Sequence, residues 1–309
     1  MNAAEDSSGL PVNIAVAERE TGLGKDTLRV WERRYGFPRP VRDAHGDRAY
    51  PRDQVERLRQ IKRLLDLGHR PGRIVGATDD ELRQLAVDAP RAAVPEPADA
   101  ASPEDEFQPE LDALRSHDVT GLRRLLSQRF ARNGLERMVT EALPRLNRAV
   151  GDAWSNGRLA IYEEHLYTEQ LKSLLRQAIG GLPPGTQSPR VLLGTVPGEQ
   201  HVLGLLMVEA LLVLRGIQVV SLGAQTPLGE LAAAASAHRA DIVALSFSSA
   251  FPARQLAPVV KQLRDLLPAA TQLWIGGTGC RRYAGTIPGV EHLADFADID
   301  RLLPGVSPG

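Results

Sequence analysis

Read by the spacing of its apolar positions, the chain changes character twice. From Val12 to about Val87, apolar residues recur in short helical bursts around one turn-rich insert, Arg39 to Tyr50. The last burst is predicted to start at Thr78, where Glu81 completes a capping box. Residues Ala89 to Phe107 are mostly Ala, Pro, Asp and Glu, a composition that builds no core and predicts a flexible linker. From Pro109 to Ile179, Leu recurs at spacings of three and four with no strand-like alternation, predicting about four helices. Asp118 is the expected N-cap of one, and Asn156-Gly157 the expected break after another. After Gly180–Gly185, read as a second linker, continuous apolar runs begin: Val191–Val196, Gln218–Leu222, Ile242–Ser246 and Gln272–Gly276. Helical stretches separate them by about thirty residues, as parallel strands buried on both faces require. The expected domains are therefore 11–87, a linker 88–108, a helical bundle 109–180 and an α/β domain 188–305.

Composition sharpens this picture at three points. The hydrophobic fraction of 43% is enough for cores in each part. The net charge of −1 says little, but its distribution says more: Val12 to Arg73 is rich in Arg and Lys, and Asp79 to Glu110 is acidic. That asymmetry points to a nucleic-acid surface near the N-terminus. The single cysteine, Cys280, excludes an intrachain disulfide and a thiolate-rich zinc site. No apolar run is long enough to predict a membrane span, and Met1–Gly9 lacks the pattern of a signal peptide, so a cytoplasmic location is expected.

Asn13 to Leu23 reads as a first helix and turn, with Gly22 where the chain must reverse, and Lys25 to Tyr35 as a recognition helix anchored by Leu28 and Trp31. Lys25, Thr27, Arg29, Arg33, Arg34 and Tyr35 offer groups to phosphates and base edges. The insert reads as a hairpin wing, with Arg42 and Arg48 straddling the DNA backbone and Tyr50 docking against it. The run TLRVWERRYGFPRPVRDAHGDRAY resembles the MerR family of winged helix-turn-helix regulators over Val12 to about Gly76. The resemblance implies a dimer on double-stranded operator DNA that is distorted on binding.

In the α/β part, the first strand run leads into Glu199-Gln200-His201-Val202-Leu203-Gly204. The carboxyl end of such a strand is where open α/β sheets hold ligands. An imidazole there can hold a metal through one nitrogen while Glu199, two residues away, fixes the other. Gly204 would admit close approach of a ligand or helix. The segment resembles the E/D-x-H-x-x-G signature of cobalamin-binding domains. The resemblance implies a Rossmann-like fold, with His201 as the lower axial ligand of cobalt and Ser246, Ser248, Gly276 and Gly277 lining the nucleotide tail. Ser246-Phe247-Ser248 departs from the family's Ser-x-Leu, which weakens the expectation for Ser248. His45, His69, His117, His238 and His292 lack any such context and read as ordinary surface residues.

In the bundle, Trp154 precedes Glu164-His165 by nine intervening residues. This is similar to the W-x9-E-H signature of the MerR-type, B12-dependent photoreceptors of the CarH and LitR kind, and the resemblance then spans nearly the whole chain. It implies adenosylcobalamin as chromophore, with Trp154 over its upper face and Glu164 and His165 on its adenosyl group. It also implies a homo-oligomer, dimer or tetramer, that represses in the dark and releases DNA when light cleaves the cobalt–carbon bond. In the family a His directly follows the Trp and takes cobalt after light. Here that position is Ser155, so His165 is the substitute considered. No nucleophile–base pair is evident, and the chain is not expected to be an enzyme. The readings that compete are a regulator sensing B12 supply, or another ligand such as haem, and a corrinoid carrier module of a methyltransferase. The wing argues against the carrier.

Overall fold

The computed structural model describes residues 10–43, 46–66, 69–87, 106–283, 285 and 287–303. The expected linker, apart from its last residues, and His45 lie outside the described residues. The chain falls into two compact units that divide near residue 100.

The N-terminal unit carries β1 (Val12–Asn13), α1 (Ile14–Thr21), α2 (Lys25–Tyr35), β2 (Val41–Arg42), β3 (Arg48–Tyr50), α3 (Arg52–Asp66), α4 (Pro71–Ile74) and α5 (Asp79–Val87). Asn13 caps α1 by accepting from the Val16 amide at 3.0 Å. Gly22 ends it at φ 67°, a conformation that glycine adopts without a Cβ penalty. The turn delivers α2, whose Leu28 and Trp31 are buried in the unit's core beside Val55, Leu58 and Ile61. β3 pairs antiparallel with both β1 and β2, forming the hairpin of the insert. The Thr78 capping box is present: the Thr78 amide donates to Glu81 at 2.7 Å, and the Glu81 amide donates to Thr78 Oγ1 at 3.3 Å.

The second unit begins with four helices, α6 (Gln108–Arg115), α7 (Val119–Arg137), α8 (Leu143–Ser155) and α9 (Ile161–Gly180). Asp118 caps α7 through the Gly121 amide at 2.8 Å, and Gly157 turns the chain after α8 at φ 69°. Gly134 interrupts α7 at φ 71°, ψ 166°, and a π-helical turn, Met138–Ala142, separates α7 from α8. Pro144 has no N–H to give residue 140 and its ring crowds that carbonyl, so the turn before it widens.

The sheet follows, with β4 (Gln187–Gly194), α10 (Leu203–Leu214), β5 (Ile217–Ser221), α11 (Leu228–Ala237), β6 (Ile242–Ser246), α12 (Ala253–Leu266), β7 (Gln272–Gly276), a 3-10 turn (Thr278–Arg282), β8 (Val290–Leu293) and α13 (Ala297–Leu302). All strands are parallel in the order β5-β4-β6-β7-β8. Strand alternation divides the apolar residues between two cores. Val191, Leu193, Ile242, Ala244 and Trp274 face α10, α13 and the bundle, while Leu192, Val243, Leu245, Leu273 and Ile275 face α11 and α12. The fold is therefore the expected combination of winged helix-turn-helix, four-helix bundle and Rossmann-like α/β domain.

Three features differ from the sequence reading. A fifth strand, β8, is present, too short and polar for its apolar pattern to show. The bundle and sheet share one continuous core instead of standing as separate domains. Gly185 is packed against the Gly216–Ile217 backbone, where a Cβ would lie 1.9 Å from the Ile217 oxygen, so this end of the second linker is a fitted corner.

Candidate cobalamin site and candidate DNA surface

β4 connects to β5 on one side of itself, and β5 then crosses to β6 on the other. The crevice between the carboxyl ends of β4 and β6 is thus the point where strand order reverses. Two loops meet there. The first, after β4, is held by Thr195, whose hydroxyl donates to the Glu199 carbonyl at 2.6 Å and accepts from the Gln225 amide at 2.8 Å. Gly198, at φ 87°, turns the chain so that Glu199 is buried beneath the loop.

Glu199 joins the two loops. Its Oε1 accepts from the His201 amide at 2.8 Å and from His201 Nδ1 at 2.7 Å. Its Oε2 accepts from the Ser248 amide at 2.7 Å and from Ser248 Oγ at 2.9 Å, so the loop after β6 is held by the same carboxylate. Ser248 Oγ also lies 3.0 Å from His201 Nδ1. A carboxylate only accepts, so Nδ1 carries a proton, and in the neutral imidazole Nε2 keeps its lone pair. The His201 side chain is 61% exposed and presents that nitrogen outward.

Burial pushes the Glu199 carboxyl up, but hydrogen bonds from His201 and Ser248 outweigh it and hold the group below its ordinary value. The Glu199 hydrogen bond raises His201, against the opposing effect of burial. Glu164 of α9 raises it further and Lys172 lowers it, so α9 of the bundle is within electrostatic reach of the imidazole. On α9, Glu164 repeats the lower arrangement in small: His165 Nδ1 donates to its Oε2 at 2.8 Å, and Thr168 Oγ1 donates to its Oε1 at 2.9 Å. Trp154, half-buried at the end of α8, packs against the shared core.

The glycines serve the protein first. A Cβ on Gly204 would lie 2.8 Å from Ser246 Oγ, and one on Gly277 would lie 2.4 Å from the Phe247 oxygen. Gly277, at φ 95°, therefore lets the two loops close on each other, and the room it makes is filled by backbone. Gly276 is less constrained, its nearest neighbour being the Leu293 oxygen at 3.4 Å. The donor set suits a corrinoid: one anchored imidazole is enough for a metal that arrives in its own macrocycle. Among the described residues no group of three or more His, Cys, Asp or Glu is placed to hold a bare ion.

Comparison with known proteins bears on this arrangement. The chain is 33% identical to the HTH-type transcriptional repressor CarA of Myxococcus xanthus over 281 residues, 90% of each chain. It belongs to the CarA family. A second relative from the same organism, the HTH-type transcriptional repressor CarH, is 30% identical over 87% of this chain and 90% of its own. Family profiles match in the same three parts: MerR HTH family regulatory protein at 12–81, and B12 binding domains at 110–178 and 189–285. A solved structure, the monomethylamine corrinoid protein of Methanosarcina barkeri, superposes with a TM-score of 0.51 at 17% identity. It covers 64% of this chain and 96% of its own, a likeness of fold.

In this CarA-family chain the N-terminal surface is also specific in its details. Arg29, Arg33 and Arg34 are exposed on α2, and Thr27 and Tyr35 are half-buried. Lys25 is drawn back to Glu18 at 3.6 Å. Arg34 lies over the Tyr35 ring, 5.4 Å from its centroid. In the hairpin, Arg42 is exposed and donates to the Gly46 carbonyl at 2.7 Å, whereas Arg48 is half-buried and held by Glu32 at 2.8 Å. Tyr50 is wholly buried in the unit's core. The expectation that it docks on a DNA backbone is corrected accordingly: its place at the end of the central strand turns it inward.

Residues that the sequence reading did not single out include Thr195, Thr168, Lys172 and Arg215. Thr168 had a signal, since it stands four residues after Glu164 on one helix face. Arg215 had none. It is buried, donates to Asp300 at 2.5 and 2.9 Å and to Glu136 at 3.1 Å, and so ties the end of α10 to both α13 and the bundle.

Proposed function

We propose that this chain is a light-responsive transcriptional repressor that binds double-stranded operator DNA through its N-terminal unit and adenosylcobalamin between bundle and sheet. The observation that carries the reading is His201, fixed through Nδ1 by buried Glu199 and within electrostatic reach of Glu164 of the bundle. His201 would hold cobalt from below, and Ser246, Ser248 and Gly276 would border the tail between β4, β6 and β7. Gly204 and Gly277 would act indirectly, by letting the loops close. Trp154, Glu164 and His165 would cover the upper face. Adenosylcobalamin supplies a cobalt–carbon bond that visible light breaks.

The residues do the rest. Trp154 and Glu164 would hold the bundle in place through contacts with the adenosyl group, and would lose those contacts without it. The change can bias assembly and DNA binding only by that difference in contact energy. Position 155 is Ser, so His165, with Nδ1 already engaged by Glu164, is the imidazole on offer above. Dimer or tetramer formation in the dark, a cytoplasmic location and the absence of enzymatic activity belong to the same reading. Repression itself is supported by kinship with CarA and CarH, both named as repressors.

The test loads the full chain with adenosylcobalamin in the dark and removes free cofactor. Wild type should keep a cobalamin spectrum that weakens or shifts in His201→Ala. A wild type that keeps none overturns the cofactor. Illuminating the loaded protein with green light should then lower operator affinity and change its size in solution. Equal operator binding in dark and light removes the light claim and leaves sensing of B12 supply. A spectrum after light that shows two nitrogenous axial ligands in His165→Ala rejects His165 as the upper ligand.

A further inference from the structure

α2 presents one solvent face made of Asp26, Arg29, Val30 and Arg33, the i, i+3, i+4, i+7 positions opposite buried Leu28 and Trp31. Three of the four are charged. The fourth, Val30, is 44% exposed. Among the described residues of the N-terminal unit the exposed large apolar side chains are Leu10, Val30 and Val41. Val30 and Val41 sit on α2 and β2, the two elements that carry exposed Arg29, Arg33, Arg34 and Arg42. Apolar groups on the surface that carries the cations point to an apolar feature in the partner.

The first turn of α2 is not built to clamp phosphate. Asp26 is exposed there and would repel a phosphate, and it holds Arg29 at 3.3 Å. Among the described residues, Arg33 and Arg34, further along, are the cations of α2 that no carboxylate holds. This division sets the Asp26–Val30 turn toward base edges and leaves phosphates to the later arginines. In the major groove the apolar feature of a base edge is the C5 methyl group of thymine.

We propose that Val30 is a base-reading residue that recognises a thymine in the operator through its C5 methyl. The inference rests on the reading of α2 as a DNA-recognition helix and assigns it a specificity. Removing either partner of the contact leaves the other facing water, so loss of the methyl and loss of the valine should not add.

The test uses the full chain, free and loaded with adenosylcobalamin in the dark, to select duplexes from a random-sequence pool. The selected duplex is then made with deoxyuridine replacing one thymine at a time, which deletes the methyl alone. Wild type should lose roughly threefold to fivefold in affinity at one thymine position. Val30→Ala should bind the unmodified duplex weaker by a similar factor and be indifferent to deoxyuridine at that position. Val30→Thr, which keeps one methyl, should retain part of the sensitivity. Alanine is the better helix former and the position is exposed, so the variant keeps its fold. A Val30→Ala protein with the wild-type deoxyuridine profile, or a wild type indifferent at every thymine, overturns the assignment. A pool in which neither form of the protein enriches any duplex overturns the DNA-recognition reading itself.

Discussion

Glu199 carries more of the candidate cofactor site than its single carboxyl suggests. It fixes the orientation and tautomer of His201 and ties down the Ser248 amide with its other oxygen. Glu199→Gln keeps the shape but turns one accepting oxygen into a donor, which sets an N–H against either His201 or Ser248. We expect adenosylcobalamin affinity to fall by about 10–100-fold, the usual cost of losing such a supporting partner, as read by spectral titration in the dark. An unchanged affinity would mean that the imidazole needs no orienting group. Gly277 makes a different demand: Gly277→Ala places a Cβ against the Phe247 oxygen at a left-handed φ, and we expect about 1–3 kcal/mol of destabilisation in denaturant unfolding. At this scale the sequence was legible where a residue sat next to its partner in the chain, as Glu199 does to His201. It was opaque where the partner came from another strand: nothing near Gly277 in sequence announces that Phe247 fills its space.

Among the elements, α7, α10 and α13 are joined by the buried Arg215 clasp. Arg215→Met should destabilise the second unit by about 1–3 kcal/mol, since hydrogen bonds to charged partners are lost while the half-exposed Glu136 and Asp300 regain water. The clasp has a pH signature. The Arg215 hydrogen bond holds Asp300 below its ordinary value. A depressed carboxylate stabilises the fold above its unfolded pKa of about 3.9 and loses that contribution as pH falls through the lower folded value. The stability gap between wild type and Arg215→Met should therefore be constant near neutrality and shrink below about pH 4, measured by urea unfolding across pH. Helix ends were the most legible elements. Gly22, Thr78, Asp118 and Gly157 are local signals, and each acts as read. β8 was missed because its residues are half-buried and carry Glu291 and His292, with no apolar run to mark a strand.

For the molecule as a whole, the sequence divides bundle from sheet by periodicity, yet the two close over a single core. Periodicity describes how an element repeats and says nothing of which element covers it. The three tryptophans test the consequence, because Trp31 lies in the N-terminal core, Trp154 in the bundle and Trp274 in the sheet. In variants that keep one tryptophan each, the Trp154 and Trp274 signals should share one unfolding midpoint. Separate midpoints for these two would mean that the shared core does not couple them. The π-helical turn at Met138–Ala142 then has a bearing on how the signal is gauged. One residue added to an α-helix would rotate everything beyond it by about 100° about the axis, but a π-turn takes up the extra residue within a single wide turn. Such a turn therefore preserves the angular phase of α8, and with it the direction in which Trp154 faces. Inserting one alanine after Ala142, where the α-helical stretch beyond the turn begins, should swing the indole out of phase with Glu164 on α9. The insertion should leave His201 able to hold cobalamin from below while light and dark forms of the protein become alike in size and in DNA binding.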